Sequence, residues 1–311
     1  MHINYNYRSK SMVRPCALFL VGLCLSLLSW HSIADADRLK PFVLAERSTL
    51  AFDDAVVATR QKLATAPFEV VGDFSPYENA HVFVLTSAAL QTAAQKSEYG
   101  QFGAIARVAV TQADEEVQIA FVNPNYIANA YRMKEELTDI RDALEATLGS
   151  AEDFGSKRGL KTKKLRKYHY TFGMEYFDDP YELGSFDSHA LALEAVASGL
   201  ANNTVGLTEV YRLDMGDATL FGVSMKGPRE DDKYYDDAFQ MSIVDFKELK
   251  SAAYLPYEIL VLDDRVVAQH MRFRMAVHFP DLSMMGKHSF MTLMPSPKAI
   301  EQALKTVVSA D

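Results

Sequence analysis

Cysteine is nearly missing from this chain: only Cys16 and Cys24 occur in 311 residues, both near the N-terminus. A mature chain lacking that segment has none, which excludes disulfides, iron–sulfur clusters, c-type haem attachment, thiolate zinc and thiol nucleophiles together. Catalytic signatures are missing as well. There is no G-x-S-x-G, no H-E-x-x-H, no phosphate loop and no Rossmann glycine fingerprint. Neither acidic cluster has the spaced oxygens around a glycine that a calcium loop needs. Asp178 and Asp179 with Glu175 remain as paired carboxylates, and nothing in the sequence makes them converge on a cleft. Surplus base is absent too. The 32 Lys+Arg stand against 41 Asp+Glu, a net charge of −9, which argues against a general binder of nucleic acid or anionic membrane.

What is present is ordinary globular composition, 49% hydrophobic and 23% charged, at a length that suggests about two domains. The first 14 residues carry Arg8, Lys10 and Arg14 and no acid, and Ala17 to Trp30 follow as an apolar run. That run is short for a membrane span and suited to the core of a signal peptide. Small residues suit cleavage after Ala34 or after Ala36, the second starting the mature chain at Asp37; a retained N-terminal anchor is the competing reading. The expectation is an exported protein, periplasmic or secreted, and soluble once residues 1–36 are removed. Cys24 follows Leu23 rather than a small residue, which argues against lipidation.

Within the mature chain, Phe42 to Ala45 reads as a strand, and Ser48 or Thr49 as the cap of a helix striped by Phe52, Ala55, Val56, Thr59 and Leu63. Strands are expected at 68–74, 81–85, 105–111 and 117–123, and helices at 88–96 and 133–148. The order then repeats. A helix from His189 to Ala201, striped by Ala192, Leu193, Val196 and Leu200, stands 137 residues beyond the first. Strands are expected at 220–225, 239–246, 257–262 and 266–278, with a turn at Asp263-Asp264. A closing helix from Ser296 to Val308 buries Ile300, Leu304 and Val307. The fold class expected is α+β: two tandem two-layer sandwiches, each a mainly antiparallel sheet packed on helices. The first module would span 37–149 and the second 168–311, joined by a basic linker over 150–167.

The string His81-Val-Phe-Val-Leu, then Ala106-Arg-Val-Ala-Val with its acidic turn, then Val117 to Pro124 and Tyr126-Ile-Ala-Asn-Ala-Tyr, resembles the bacterial domain-of-unknown-function 302 family. Leu255-Pro-Tyr-Glu-Ile-Leu-Val-Leu-Asp-Asp and the closing helix look similar in the second copy. Thr86-Ser87-Ala88 and Asp245-Phe246-Lys247 stand where that family often has Gly-Asn-Pro. The resemblance implies an antiparallel sheet on helices and no established activity.

Three stretches offer chemistry. Read as a strand, Gln269 to Phe279 places His270, Arg272, Arg274 and His278 on one face over roughly 25 Å, opposite Met271, Phe273, Met275, Val277 and Phe279. Two guanidinium groups and two imidazoles would hold a carboxylate, phosphate or sulfur oxyanion; otherwise the arginines pair with acids on a neighbouring strand. Beyond it, Met284, Met285, His288, Met291 and Met294 would suit Cu(I), which thioethers and imidazole hold where no thiolate exists, unless these methionines simply fill the core. Between the modules, Lys157, Arg158, Lys161, Lys163, Lys164, Arg166 and Lys167 crowd into 11 residues, expected to meet the acidic loop Glu230 to Asp237 or stay solvated. The aromatic run from Tyr168 to Phe177 reads as a further strand. The function expected is a ligand-binding or accessory protein without a catalytic motif, its partner a small anion or a periplasmic protein, with no nucleic acid, no stable membrane insertion and no cofactor. Cu(I) handling is the alternative.

Overall fold

The alternating apolar residues of the first half and of the second build one sheet each. In this computed structural model residues 1–6, 37–203 and 205–309 are described. The apolar run expected to be a signal-peptide core, with both cysteines and both expected cleavage positions, lies outside them. The chain divides into a short unit, Met1–Asp37, and a compact unit, Arg38–Asp311.

The first half of the larger unit contains β1 (Arg38–Leu39), β2 (Phe42–Ser48), α1 (Phe52–Ala64), β3 (Glu69–Phe74), β4 (Ala80–Thr86) and α2 (Ala88–Ala94). It continues with β5 (Ala106–Ala113), β6 (Glu116–Val122), α3 (Pro124–Ala130), α4 (Thr138–Leu148) and β7 (Glu152–Phe154). The second half adds β8 (Leu160–Lys161), α5 (Thr162–Leu165), β9 (Tyr181–Ser185), α6 (His189–Asn202), β10 (Leu207–Asp214) and β11 (Ala218–Met225). It ends with α7 (Asp237–Val244), β12 (Tyr257–Leu262), β13 (Arg265–Ala268), α8 (Met271–His278) and α9 (Ser296–Val308).

The fold is α+β. One antiparallel sheet runs β3-β4-β5-β6-β2-β7 and the other β10-β11-β12-β13-β9, with β1 and β8 paired separately. Taking β9 for β2 and β10 to β13 for β3 to β6, the strands follow the same order in both, β7 being an extra edge. Helices α1 and α4 cover one face of the first sheet, and α6 and α9 one face of the second. The central strands β4, β5, β11 and β12 are nonetheless buried along nearly their whole length, as strands covered on both faces are. Their second faces are covered from the opposite half. The 3-10 turn Ala252–Tyr254 packs on β4, β5 and β6, and the turn Gly100–Gly103 packs on β11 and β12. The boundary at 150–167 is therefore a passage from one sheet to the other within one compact unit, and β7 and β8 lie inside it.

Several local readings are corrected. Residues 239–246 are not a strand; 239–244 fall in α7, whose cap Asp236 accepts the Phe239 N–H at 2.9 Å, and the helix ends before Asp245. The strand expected over 266–278 stops at Ala268, and α8 begins where His270 Nδ1 accepts the Arg272 N–H at 3.2 Å. All of α8 except Arg272 is buried. A helix buried on nearly every side has no solvent face to impose its period, so alternation in the sequence carries no strand information here. Tyr168 to Phe177 contribute no strand. Helix α1 starts behind Ala51 without a side-chain cap, and Ser48 Oγ accepts the Leu50 N–H instead. An unanticipated helix, α3, is started by Asn123, whose side chain accepts the Asn125 and Tyr126 N–H groups, with Pro124 at its first position.

Candidate functional site

The four residues expected on one strand face are divided by α8 between two environments. Arg274 and His278, one helical turn apart, point into the region between the sheets, where both are fully buried. There Arg107 of β5 meets Glu258 of β12 at 2.6 Å, and Arg274 Nε reaches the other Glu258 oxygen at 3.2 Å. Arg274 Nη2 also donates to the carbonyls of Tyr254 and Pro256, and its guanidinium lies 4.1 Å from the Tyr254 ring centre and 4.6 Å from that of Tyr257. His278 Nδ1 donates to the Arg274 carbonyl at 2.8 Å, which leaves Nε2 to accept from Arg107 at 3.2 Å. Burial, with Arg107 and Arg274 adding to it, holds the imidazole pKa well below its usual value. This is a neutral histidine inside an ionic cluster. Buried pairs with this much hydrogen bonding fix an arrangement more than they stabilise it.

Helix α8 is clamped from several sides. Tyr126 Oη donates to the Val277 carbonyl at 2.6 Å and Tyr168 Oη to that of Ala276 at 3.0 Å, while Tyr131 Oη reaches Gln269 Oε1 at 3.1 Å. Among the described residues, none of the four best-formed cavities is lined by Arg274.

His270 and Arg272 sit at the start of the helix, both on Glu175: the imidazole Nε2 at 3.3 Å and the guanidinium Nη1 at 2.9 Å. Because His270 Nδ1 accepts from the Arg272 N–H, the proton of the neutral ring sits on Nε2, 3.3 Å from the Glu175 carboxylate. Burial lowers the His270 pKa against the opposing pull of Glu175. The imidazole is thus occupied at both nitrogens, and Glu175, Asp178 and Asp179 do not act as a carboxylate pair: Asp178 takes Arg132 at 2.6 Å and Asp179 accepts the Tyr176 N–H at 2.9 Å.

The basic segment forms the largest cavity described, an open cleft of about 730 Å³. Its construction begins with β1 pairing β8, Arg38 opposite Lys161 and Leu39 opposite Leu160. Gly159 makes that pairing possible. Its φ is +64°, and a Cβ there would lie 2.9 Å from the Leu39 carbonyl oxygen. Lys157, Arg158, Lys161 and Lys164 then line one wall with Arg38, and Tyr168, His169 and Tyr170 line another. Tyr170 Oη is tied to the Leu282 carbonyl at 3.3 Å, and His169 Nδ1 lies 2.8 Å from that of Thr171. Asp281 stands on the rim and accepts the Lys157 backbone N–H at 2.5 Å. Among the described residues no carboxylate is ion-paired with the side chains of Lys157, Arg158, Lys161, Lys163, Lys164 or Lys167. The acidic loop is spent elsewhere: Asp232 pairs with Arg229, Asp236 caps α7, and Asp237 accepts the Met225 N–H at 2.9 Å.

A cavity of about 280 Å³ lies where Tyr77, Thr111 and Gln112 face Met241, Ser242, Asp245 and Lys250. Burial pushes the Asp245 carboxyl up to about 7 while it accepts the Ser251 N–H at 2.8 Å. The Lys250 ammonium donates to the Lys247 carbonyl at 2.9 Å. Among the described residues no group of three or more His, Cys, Asp and Glu is placed to hold a metal ion. A single carboxyl without a nucleophile or metal partner defines no reaction. Among the described residues, too, no helix is long and apolar enough to cross a membrane.

The density of bases is visible in the sequence, where they are as readily expected to meet the acidic loop as to stay solvated; their concavity is not, because it depends on β1 reaching the segment from 120 residues away. No family model matches the chain, and neither the curated proteins nor the solved structures yield a match.

Proposed function

We propose that the protein is a non-catalytic, exported binding protein whose ligand is a small multivalent anion held in the basic cleft. One observation carries this reading: five basic side chains, Arg38, Lys157, Arg158, Lys161 and Lys164, line a cleft of about 730 Å³ in a chain of net charge −9. Like charges repel, and a fold that gathers five of them against the one carboxylate of Asp281 has a site whose potential favours an anion. The arginines offer planar forks for carboxylate or phosphate, the lysines adaptable point charges, and Tyr168 and Tyr170 give the cleft a firm wall. The seat proposed here replaces the strand face of His270, Arg272, Arg274 and His278, since His270 and Arg272 are engaged by Glu175, and Arg274 and His278 by Glu258, Arg107 and backbone carbonyls. The likeness to the domain-of-unknown-function 302 family, resting on the strand strings alone, agrees with a binding module and adds no ligand.

The test is calorimetric titration of the full chain at low salt with citrate, phosphate and sulfate. At least one should saturate a single site whose affinity falls with added salt. The exposed pair Lys161→Gln/Lys164→Gln should weaken it about tenfold or more per lysine, given ~1.5–3 kcal/mol for a charged hydrogen bond, with the melting temperature unchanged. No saturable binding by any of these anions, or equal binding by the double variant, would remove the reading.

A further inference from the structure

Methionine is normally an interior residue, and Met271 and Met275 obey, at 1% and 0% exposure. The four that follow do not. Met284, Met285, Met291 and Met294 are 42%, 79%, 49% and 58% exposed. Four methionines this exposed within 11 residues are poorly used as packing, and the backbone of the segment is ordered by its own hydrogen bonds. Its backbone is tied by the Phe290 N–H to the Ser283 carbonyl at 3.0 Å and the Met291 N–H to that of Met284 at 3.2 Å. Ser289 Oγ donates to the Gly286 carbonyl at 2.6 Å and Thr292 Oγ1 to that of Lys287 at 2.9 Å. These bonds place Met284 beside Met291, and the Met294 N–H to the Met291 carbonyl at 3.3 Å places Met294 one turn further on.

The histidine in the same segment is oriented. His288 Nδ1 donates to the Ile243 carbonyl at 3.1 Å, and its ring stacks on Phe246 at 4.4 Å. With the proton fixed on Nδ1, Nε2 carries a lone pair, and it has no partner among the described residues. An imidazole whose other nitrogen is held on a backbone carbonyl is the arrangement found behind metal-ligating histidines.

Thioether sulfur and imidazole nitrogen are soft to borderline donors, and they select a soft monovalent ion over Ca²⁺ or Mg²⁺, which take oxygen. No thiolate competes anywhere in residues 37–311. We propose that Met284, Met291, Met294 and His288 form a surface site for a soft monovalent metal ion, Cu(I) or its analogue Ag(I). The three sulfurs stand on flexible arms that can close on an ion seated at Nε2. Binding exchanges water and other weak ligands for these donors and transfers no electron. This site is separate from the basic cleft and stands or falls without it.

Anaerobic titration of the full chain with Cu(I), in competition with a chromogenic Cu(I) chelator, tests the proposal. One equivalent should be withdrawn from the chelator per chain. Met284→Leu/Met291→Leu/Met294→Leu keeps the apolar surface and should lose that equivalent, and His288→Gln should weaken it at least about tenfold. Ag(I) added to protein with labelled methionine methyl groups should shift Met284, Met291 and Met294 while leaving Met271 and Met275 in place. Failure of the wild type to compete with the chelator, or undiminished uptake by the triple leucine variant, overturns the site. A triple variant that loses uptake but keeps its melting temperature supports it, because a merely structural role would have moved the melt.

Discussion

Asp237 is the most informative single residue for the behaviour of the fold with pH. It is 2% exposed at the start of α7, and burial pushes its carboxyl from 3.8 up to about 8, with the Met225 N–H and Arg274 pulling the other way. The folded chain therefore holds a proton that the unfolded chain has already released. Stability falls as pH rises through the window between 3.8 and about 8 and levels off above it. Asp237→Asn keeps an acceptor for the Met225 N–H and removes the titration. It should flatten the stability profile across that window and melt higher than the parent at pH 8, which urea titrations at a series of pH values would read. A profile unchanged in slope would mean that Asp245, also raised, to about 7, accounts for the slope instead. His278 acts in the opposite sense: burial and the neighbouring arginines keep it neutral in the fold, whereas the unfolded chain takes up a proton below the usual value of 6.5, so this residue costs stability as pH falls below 6.5.

Helix against helix, the tightest seam is α6 on α9. A Cβ on Gly199 would stand 1.9 Å from the Val307 carbonyl oxygen and 2.7 Å from its carbon. Ala in place of Gly favours an isolated helix by ~1 kcal/mol, whereas forcing apart two packed backbones costs ~1–3 kcal/mol or more. The clash wins, so Gly199→Ala should lower the urea midpoint; a rise would show that α9 slides freely.

The elements that sequence periodicity placed well are those with one dry face and one wet face. Helices α1, α6 and α9 were legible from their stripes, and α9 was expected over its observed span. Strands β4, β5, β6 and β12 were legible because turn residues such as Asp263-Asp264 bound them. The reading failed at α8, where burial is all round but for Arg272 and little solvent face remains to set a period, and at α7, a short helix with only Ala238 and Ser242 exposed. The candidate site divides along the same line. The basic run and the methionine run were plain as composition, but neither the cleft nor the exposure of the thioethers has a local signal, because both depend on contacts between distant segments.

At the scale of the whole molecule, each sheet covers the other's second face, so neither half has a complete core alone. The tyrosines of α3 and its following turn reach α8, and the turns at 100–103 and 252–254 each pack on the opposite sheet. Residues 37–149 and 168–311 expressed as separate polypeptides should each expose that face and fail to melt cooperatively. Mixed, they should recover a cooperative transition, measurable by circular dichroism. Two halves that each melt sharply alone would contradict the shared interface.

The Arg107–Glu258 contact carries a consequence for pairing. Arg107 is the second residue of β5 and Glu258 the second residue of β12, strands holding the same place in their sheets. The two sides of the seam have taken opposite signs. A first half meeting a copy of itself in this manner would set guanidinium against guanidinium with no water to part them, and a second half would leave Glu258 with Arg274 alone and without Arg107. Either mismatch costs several kcal/mol in a dry interface. The halves are thus a plug and its socket: each recognises the other and disfavours pairing with its own kind.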